Sequence, residues 1–175
     1  METVVTSHAA VLTHTVIESP LGPLTLVNTD GVLSGVFMER RWPRPDRAAY
    51  GRHADEGFEQ ATRELGEYFA GARTAFTLPF AAEGDEFDKQ VWQELTTIPY
   101  GETRSYGQVA EALGDRTLAK AVGAANARNP ICLIVPCHRV IGADGSLTGY
   151  AGGLERKAFL LALENPARAM QPALL

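Results

Sequence analysis

The chain has 175 residues, 45% hydrophobic and 21% charged, with a formal net charge of −5. That balance belongs to a soluble globular chain with a core of its own; it excludes disordered and collagen-like classes and argues against a general nucleic-acid coat. No stretch approaches the roughly 18 apolar residues of a membrane span, the first ten residues lack the basic-then-apolar order of a leader, and the two cysteines, Cys132 and Cys137, form no disulfide framework. The expected compartment is therefore the cytoplasm.

In chain order, residues 13–38 read as an antiparallel β unit. Thr13, Thr15, Val16 and Ile17 favour extended backbone, and Ser19, Pro20 and Gly22 carry turn chemistry. Two further apolar runs, 24–27 and 32–38, flank Asn28, Asp30 and Gly31. Residues 40–52, rich in proline and arginine, read as an exposed loop. Arg40, Arg41, Arg44 and Arg47 are either solvated there or in touch with a polyanion. In 55–70, Phe58, Ala61, Leu65, Tyr68 and Phe69 recur at helical spacing, and Gly71 is the stop. A connection over 76–84 divides the chain into an expected N-terminal α/β domain, residues 1–80, and a second domain, 81–175.

Asp85 can cap a helix over 85–97 whose Phe87, Val91, Trp92, Leu95 and Ile98 share one face. Pro99, Tyr100 and Gly101 break it. Ser105 caps a short helix with Tyr106, Val109, Ala110 and Leu113 inward, ended by Gly114. Residues 117–127 form another helix, small on nearly every side, which Asn129-Pro130 terminates. The pair matches a helix-turn-helix. Its alanines and glycine permit either close approach to a groove or close packing in the core. Residues 1–99 hold 8 basic against 15 acidic side chains, whereas 100–140 hold 5 against 3. A polyanion would dock on the later segment. Arg128 there is open between a phosphate contact and solvated surface.

The apolar run Ile131-Cys132-Leu133-Ile134-Val135 reads as a short buried strand that Pro136 stops. Cys137 is thereby held at the rigid end of a core element, with His138 beside it. The thiolate is the reactive form of cysteine, and a base or a positive neighbour must populate it. Neighbouring side chains on extended backbone point apart, so the pair needs a bend after Pro136 or a bridging water. A carboxylate would orient the histidine. Glu164, at the end of a helix over 154–164, is one candidate that spacing alone does not single out. A Cys-His dipeptide by itself also fits a buried structural cysteine.

The surrounding pieces carry more. Phe87 with Val91-Trp92, Ile98-Pro99-Tyr100-Gly101-Glu102-Thr103, Ser105-Tyr106-Gly107, Ala121-Val122-Gly123, Asn129-Pro130, Pro136-Cys137-His138-Arg139-Val140, Gly149-Tyr150-Ala151-Gly152-Gly153-Leu154 and Lys157 follow one another in order. With these, residues 84–164 resemble the O6-alkylguanine-DNA alkyltransferase (methylated-DNA–protein-cysteine methyltransferase) family; residues 13–80 fit its variable N-terminal domain more loosely. The resemblance implies an α/β (α+β) fold: an N-terminal antiparallel sheet plus helix, ribonuclease H-like, and a mostly helical C-terminal domain with a helix-turn-helix. It implies DNA repair by a single, irreversible alkyl transfer from O6-alkylguanine, with O4-alkylthymine as a further candidate, after the base is flipped from the minor groove. The partner is double-stranded DNA carrying the lesion. The protein is expected to act as a monomer, with cooperativity on DNA left open, and to need no cofactor.

Carried over by residue, Cys137 is the alkyl acceptor, His138 the base acting through a water, and Glu164 the acid orienting it. Asn129 bridges the recognition helix and the active-site segment. Tyr106 turns the target nucleotide and protonates the leaving guanine, and Tyr150 walls the guanine pocket. Lys120, Ala121 and Arg128 fall on the DNA-binding side. Three departures stand out. Lys120 replaces the usual intercalating arginine and lacks its planar stacking surface. Ala151 replaces a common serine donor. The N-terminal region has no cysteine and only His8, His14 and His53, so no zinc is expected. Two rivals remain: a non-catalytic DNA-binding regulator, which predicts no covalent product, and a thiol hydrolase or redox sensor, which predicts turnover or reversible oxidation.

Overall fold

The computed structural model describes residues 8–41 and 45–170. Strands β1 (Leu12–Ile17), β2 (Leu24–Thr29) and β3 (Val32–Met38) pair antiparallel, as the turn chemistry requires. A fourth strand, β4 (Arg52–His53), completes the order β3-β2-β1-β4 and runs parallel to β1. The sheet is therefore mixed rather than wholly antiparallel. The segment read as an exposed loop supplies this strand. Asp46 caps a 3₁₀ turn over Arg47–Tyr50, and Gly51 at φ 74° brings the chain against β1, where a Cβ would collide with the Leu12 carbonyl. Tyr50 is buried and stacks on Phe37 at 5.2 Å. Arg41 is buried too, and Arg44 lies outside the described residues.

Helix α1 (Glu59–Phe69) buries Ala61, Leu65 and Tyr68, the face its spacing announces. Glu64 is fully buried on the same helix. Its carboxylate accepts from Thr77 N, Thr77 Oγ1 and Leu78 N and so staples the following chain to the helix. Helix α2 (Glu86–Leu95) starts where Asp85 Oδ1 accepts from Asp88 N at 2.8 Å. Strand β5 (Arg104–Ser105) leads into α3 (Tyr106–Ala112) through a complete capping box, Ser105 with Gln108. The next helix begins later than read. Asp115 accepts from Thr117 N and draws residues 116–118 into a 3₁₀ turn, leaving α4 as Ala119–Ala127. Strand β6 (Val140–Ile141) pairs parallel with β5, and α5 spans Leu154–Glu164, as expected.

The small residues of α4 take the packing role on one face and leave the other face open. Val122 and Ala125 are buried, and Trp92 Nε1 donates to the Ala125 carbonyl at 2.9 Å. Gly123 instead faces the Tyr106 ring, and Lys120, Ala121 and Ala124 are exposed. One core cluster joins Leu24, Leu26, Val36 and Leu65 to Val91, Val109, Val122, Ile131 and Leu160. Through it β3 reaches the Cys137 region: Val36 N donates to the Pro130 carbonyl at 2.8 Å, and Val36 bridges to Ile131.

Candidate active site

Residues 131–135 form a buried turn, not the strand their composition suggested. Leu133 has φ 75°, and Val135 N donates to the Ile131 carbonyl at 3.0 Å. The cause is Asn129. Its Oδ1 accepts from Ile131 N and its Nδ2 donates to the Val135 carbonyl, each at 2.9 Å, so one side chain satisfies backbone that a ladder would otherwise pair. The apolar character reflects burial of all five residues. Pro136 then leads into a single 3₁₀ turn, Cys137–Arg139, which is the bend the Cys-His pair needs. Asn126 Nδ2, from α4, donates to the Cys137 carbonyl at 3.2 Å.

Glu164 is the hub behind this turn. Its Oε1 lies 2.7 Å from His138 Nε2 and accepts from Tyr68 Oη at 2.7 Å. Arg139 Nε donates to Oε2 and Arg139 Nη2 to Oε1, each at 2.9 Å. Gly101 N adds a longer bond to Oε2 at 3.3 Å. Burial pushes this carboxyl upward, but the hydrogen bonds from His138 and Arg139 outweigh it and hold the pKa at about 2. A carboxylate only accepts, so Nε2 of His138 carries the proton. Nδ1 is then the basic nitrogen. It is buried, with no hydrogen-bond partner among the described residues.

Cys137 is 2% exposed, yet its pKa falls to about 6. The largest influence is the neighbouring Cys132 thiol. Burial opposes it, and His138, Asn129 and Arg41 add to the lowering. An open cavity of about 630 Å³ lies nearby, lined by Tyr106, Ala119, Lys120, Gly123, Ala127, Thr148, Gly149, Tyr150 and Ala151. Tyr106 and Tyr150 both sense the charge on Cys137. Burial raises the Tyr106 phenol, so it stays protonated, and its Oη donates towards the carbonyls of Thr148 (3.0 Å) and Gly149 (3.3 Å). Burial also raises Tyr150, whose Oη has no partner among the described residues. Lys157 is fully buried and donates to the carbonyls of Val140 and Thr148; burial lowers it to about 8.

Of the residues singled out from the sequence, the structure pairs His138 with Glu164 behind Cys137 and has Asn129 shape the turn that leads to it. It lines the cavity with Tyr106, Lys120 and Tyr150. Ala121 is exposed but does not line the cavity. Arg128 lies at the surface, as one of its two readings had it, and is paired there. Its guanidinium forks onto Asp88, with Nη2–Oδ1 at 2.6 Å and Nε–Oδ2 at 2.9 Å, tying the end of α4 to α2 with its charge already answered. Sequence reasoning missed Tyr68, Asn126 and the role of Arg139, though a basic residue directly after a buried Cys-His pair was a signal for the last. Among the described residues, no group of three His, Cys, Asp or Glu side chains could hold a metal ion, and no helix is long and apolar enough to cross a membrane.

The chain matches two family profiles in succession: the ribonuclease-like domain of 6-O-methylguanine DNA methyltransferase over residues 12–82, and its DNA-binding domain over 86–166. It is 50% identical over 149 residues to a methylated-DNA–protein-cysteine methyltransferase of Mycolicibacterium paratuberculosis, covering 85% of this chain and 90% of that one. A namesake from Methanosarcina acetivorans is 49% identical over 155 residues, 87% of this chain and 97% of the relative. The crystal structure of Mycobacterium tuberculosis OGT in complex with DNA superimposes with a TM-score of 0.83 at 48% identity, covering 89% of this chain and 94% of that one. With a buried cysteine beside a His-Glu pair in the second half and relatives matched along nearly their whole length, the chain belongs to the methylated-DNA–protein-cysteine methyltransferase family.

Proposed function

We propose that this protein repairs DNA by moving the alkyl group of O6-alkylguanine onto its own Cys137, once and irreversibly. The observation that carries the reading is a buried cysteine held near neutral ionisation, backed by the His138–Glu164–Arg139 network and next to a tyrosine-lined cavity. The chain divides in this reading into an N-terminal domain, residues 1–80, and a DNA-binding and alkyl-transfer domain, 81–175. It acts as a monomer in the cytoplasm, where two free thiols suit the reducing milieu.

The target carbon is hidden in the duplex, so the base must leave the stack, at a cost of a few kcal/mol that a weakened alkylated pair reduces. Tyr106 turns the nucleotide, Lys120 enters the space left behind, and Ala121 offers a small surface beside it. Tyr150 walls the flipped guanine. Arg128, paired with Asp88, holds α4 in place and keeps a half-exposed guanidinium on the DNA-binding side. The Cys137 proton passes through a water to His138 Nδ1, while Glu164 fixes the ring and supports its positive charge. The thiolate then attacks the alkyl carbon. A C–S bond forms, the C–O6 bond breaks, and its electron pair enters the guanine ring, which takes a proton from the Tyr106 phenol. A thioether carbon carries no good leaving group, so the alkyl group stays and the protein is spent.

Intact-protein mass spectrometry after incubation with a duplex holding one O6-methylguanine tests this. One methyl gained per chain, mapped to Cys137, is the expected result; turnover of substrate without a mass change would sink it. A duplex with O4-methylthymine, run in parallel, reads the second lesion. Lys120 gives a further prediction. Its ammonium stacks poorly in place of an extruded base, so Lys120→Arg should speed repair of duplex substrate about tenfold, worth roughly one and a half kcal/mol of flipping. Repair of the free modified base should not change. Equal duplex rates for the two proteins would remove Lys120 from the flipping step.

A further inference from the structure

One wall of the cavity proposed to receive the base is the segment Thr148, Gly149, Tyr150 and Ala151. It lies between β6 and α5 and is neither helix nor strand, so side chains must hold it in place. Two consecutive cations of α5 do so. At the start of the wall, Lys157 Nζ donates to the Thr148 carbonyl at 3.0 Å, an acceptor it shares with Tyr106 Oη. At the end, Arg156 Nη1 donates to the Gly152 carbonyl at 3.2 Å. Between them Gly153 N closes a turn onto the Tyr150 carbonyl at 2.9 Å.

The two cations are anchored on opposite sides. Lys157 is tied to the Val140 carbonyl, within the second half of the chain. Arg156 reaches into the first half. Its Nε donates to the Leu21 carbonyl at 3.1 Å, and its Nη1 donates to the Glu39 carbonyl at 2.6 Å, 135 and 117 positions earlier. Those carbonyls stand at one end of the sheet because β2 and β3 pair there, with Leu24 opposite Met38. Ser19 stiffens the turn before them: its Oγ accepts from Leu21 N at 3.1 Å and donates to the Gly22 carbonyl at 2.7 Å. The Arg156 bonds therefore run to backbone, and bonds from a charged donor are the stronger kind. The sheet also touches the wall directly. A Cβ on Gly152 would lie 2.5 Å from Sδ of Met38, the buried last residue of β3, and 3.0 Å from the Tyr150 ring.

We propose that Arg156 clamps the wall Gly149–Ala151 to the N-terminal sheet and thereby sets how large a lesion the cavity admits. It is a positioning residue: it grips the chain on both sides of the contact and exchanges no atom with the substrate. The proposal rests on this cavity receiving the flipped base. It gives the N-terminal domain a part in lesion recognition, because the Tyr150 wall can recede only if Arg156 releases either the sheet or Gly152.

The test is hydrogen–deuterium exchange of the DNA-free protein, read on peptides over 148–153 and 131–141, for wild type, Arg156→Met and Arg156→Lys. It uses no DNA, so failure of the clamp is separable from failure of the repair reading, which wild-type methyl uptake decides. Arg156→Met keeps the stem and removes every donor; exchange over 148–153 should rise about tenfold, with 131–141 as in wild type. Lysine keeps one charged donor and should recover part of the protection. In single-turnover repair of an O6-methylguanine duplex, Arg156→Met should raise the duplex concentration for half-maximal rate about tenfold and change the limiting rate by less than about twofold. With O6-butylguanine that concentration should rise only about threefold, because a wall that yields admits the longer chain. Exchange over 148–153 equal to wild type overturns the proposal. So does an equal rise over both peptides, which would mark general loosening, or a lysine variant no better protected than methionine. Equal losses on the two lesions would strike out the role in lesion size. An equally large loss on undamaged duplex would make Arg156 a phosphate contact and overturn the clamp.

Discussion

Cys137→Ala should abolish methyl uptake from an O6-methylguanine duplex while leaving lesion binding close to wild type. The proposed nucleophile is lost outright, and Cys132 should not take its place: it sits in the 131–135 turn with its hydrogen bond to the Asn129 carbonyl and is 1% exposed. The cavity proposed to receive the base is untouched, since Tyr106, Lys120 and Tyr150 line it and Cys137 does not. The fold changes little as well. The backbone at 137 is held by Asn126 Nδ2 on its carbonyl and by Val135 through its own N–H, neither of which involves the side chain. Truncating one buried thiol should cost about 1 kcal/mol. Intact mass and a gel-shift titration on the same duplex check both halves. A residual methyl gain at another residue would contradict the assignment of Cys137.

Glu164→Ala should be the most destabilising substitution in the site. It strips Arg139 of two bonds, His138 of its orienting partner and Tyr68 of its acceptor, all in buried surroundings. Removing one partner from a buried charged pair typically costs 3–5 kcal/mol. For a chain of this size that corresponds to a melting temperature lower by about 10 °C or more. Alkyl transfer falls with it, because the histidine loses its tautomer. Glu164→Gln keeps the shape and lowers both effects, so it separates charge from packing. The same carboxylate makes an acid-stability prediction. Its folded pKa of about 2 lies below its ordinary 4.5, so its contribution is complete above the ordinary value and is lost as pH falls through the folded one. Wild-type stability should therefore decline between about 4.5 and about 2, and Glu164→Gln should flatten that part of the curve. Urea titrations across this window measure it.

The parts of this molecule governed by short-range chemistry were legible in the sequence. Asp85 and Ser105 cap the helices they were expected to cap, α5 spans its expected residues, and the Cys-His pair was visible beside its proline. What escaped depended on partners far along the chain. An apolar run of five cannot be told from a buried turn without knowing that Asn129 pairs its backbone. Strand β4 has two residues, too few for any alternation to register, and exists because β1 lies alongside. The partner of Arg128 could not be named because Asp88 is forty positions away. Glu164 was one acid among many until Tyr68, Gly101, His138 and Arg139 converged on it.

The bond from Tyr68 to Glu164 has an evolutionary consequence. It runs from a helix of the first half to the carboxylate that steadies the histidine of the second. The two halves therefore do not form a freely exchangeable cassette. A chimera joined near residue 82, with its first half taken from a relative that lacks this hydroxyl, would leave the acid with its bonds from His138, Arg139 and Gly101 and without the one that crosses from α1. Substitutions at position 68 should be tolerated best alongside a compensating donor, so drift in the N-terminal half is restrained there by a carboxylate in the other.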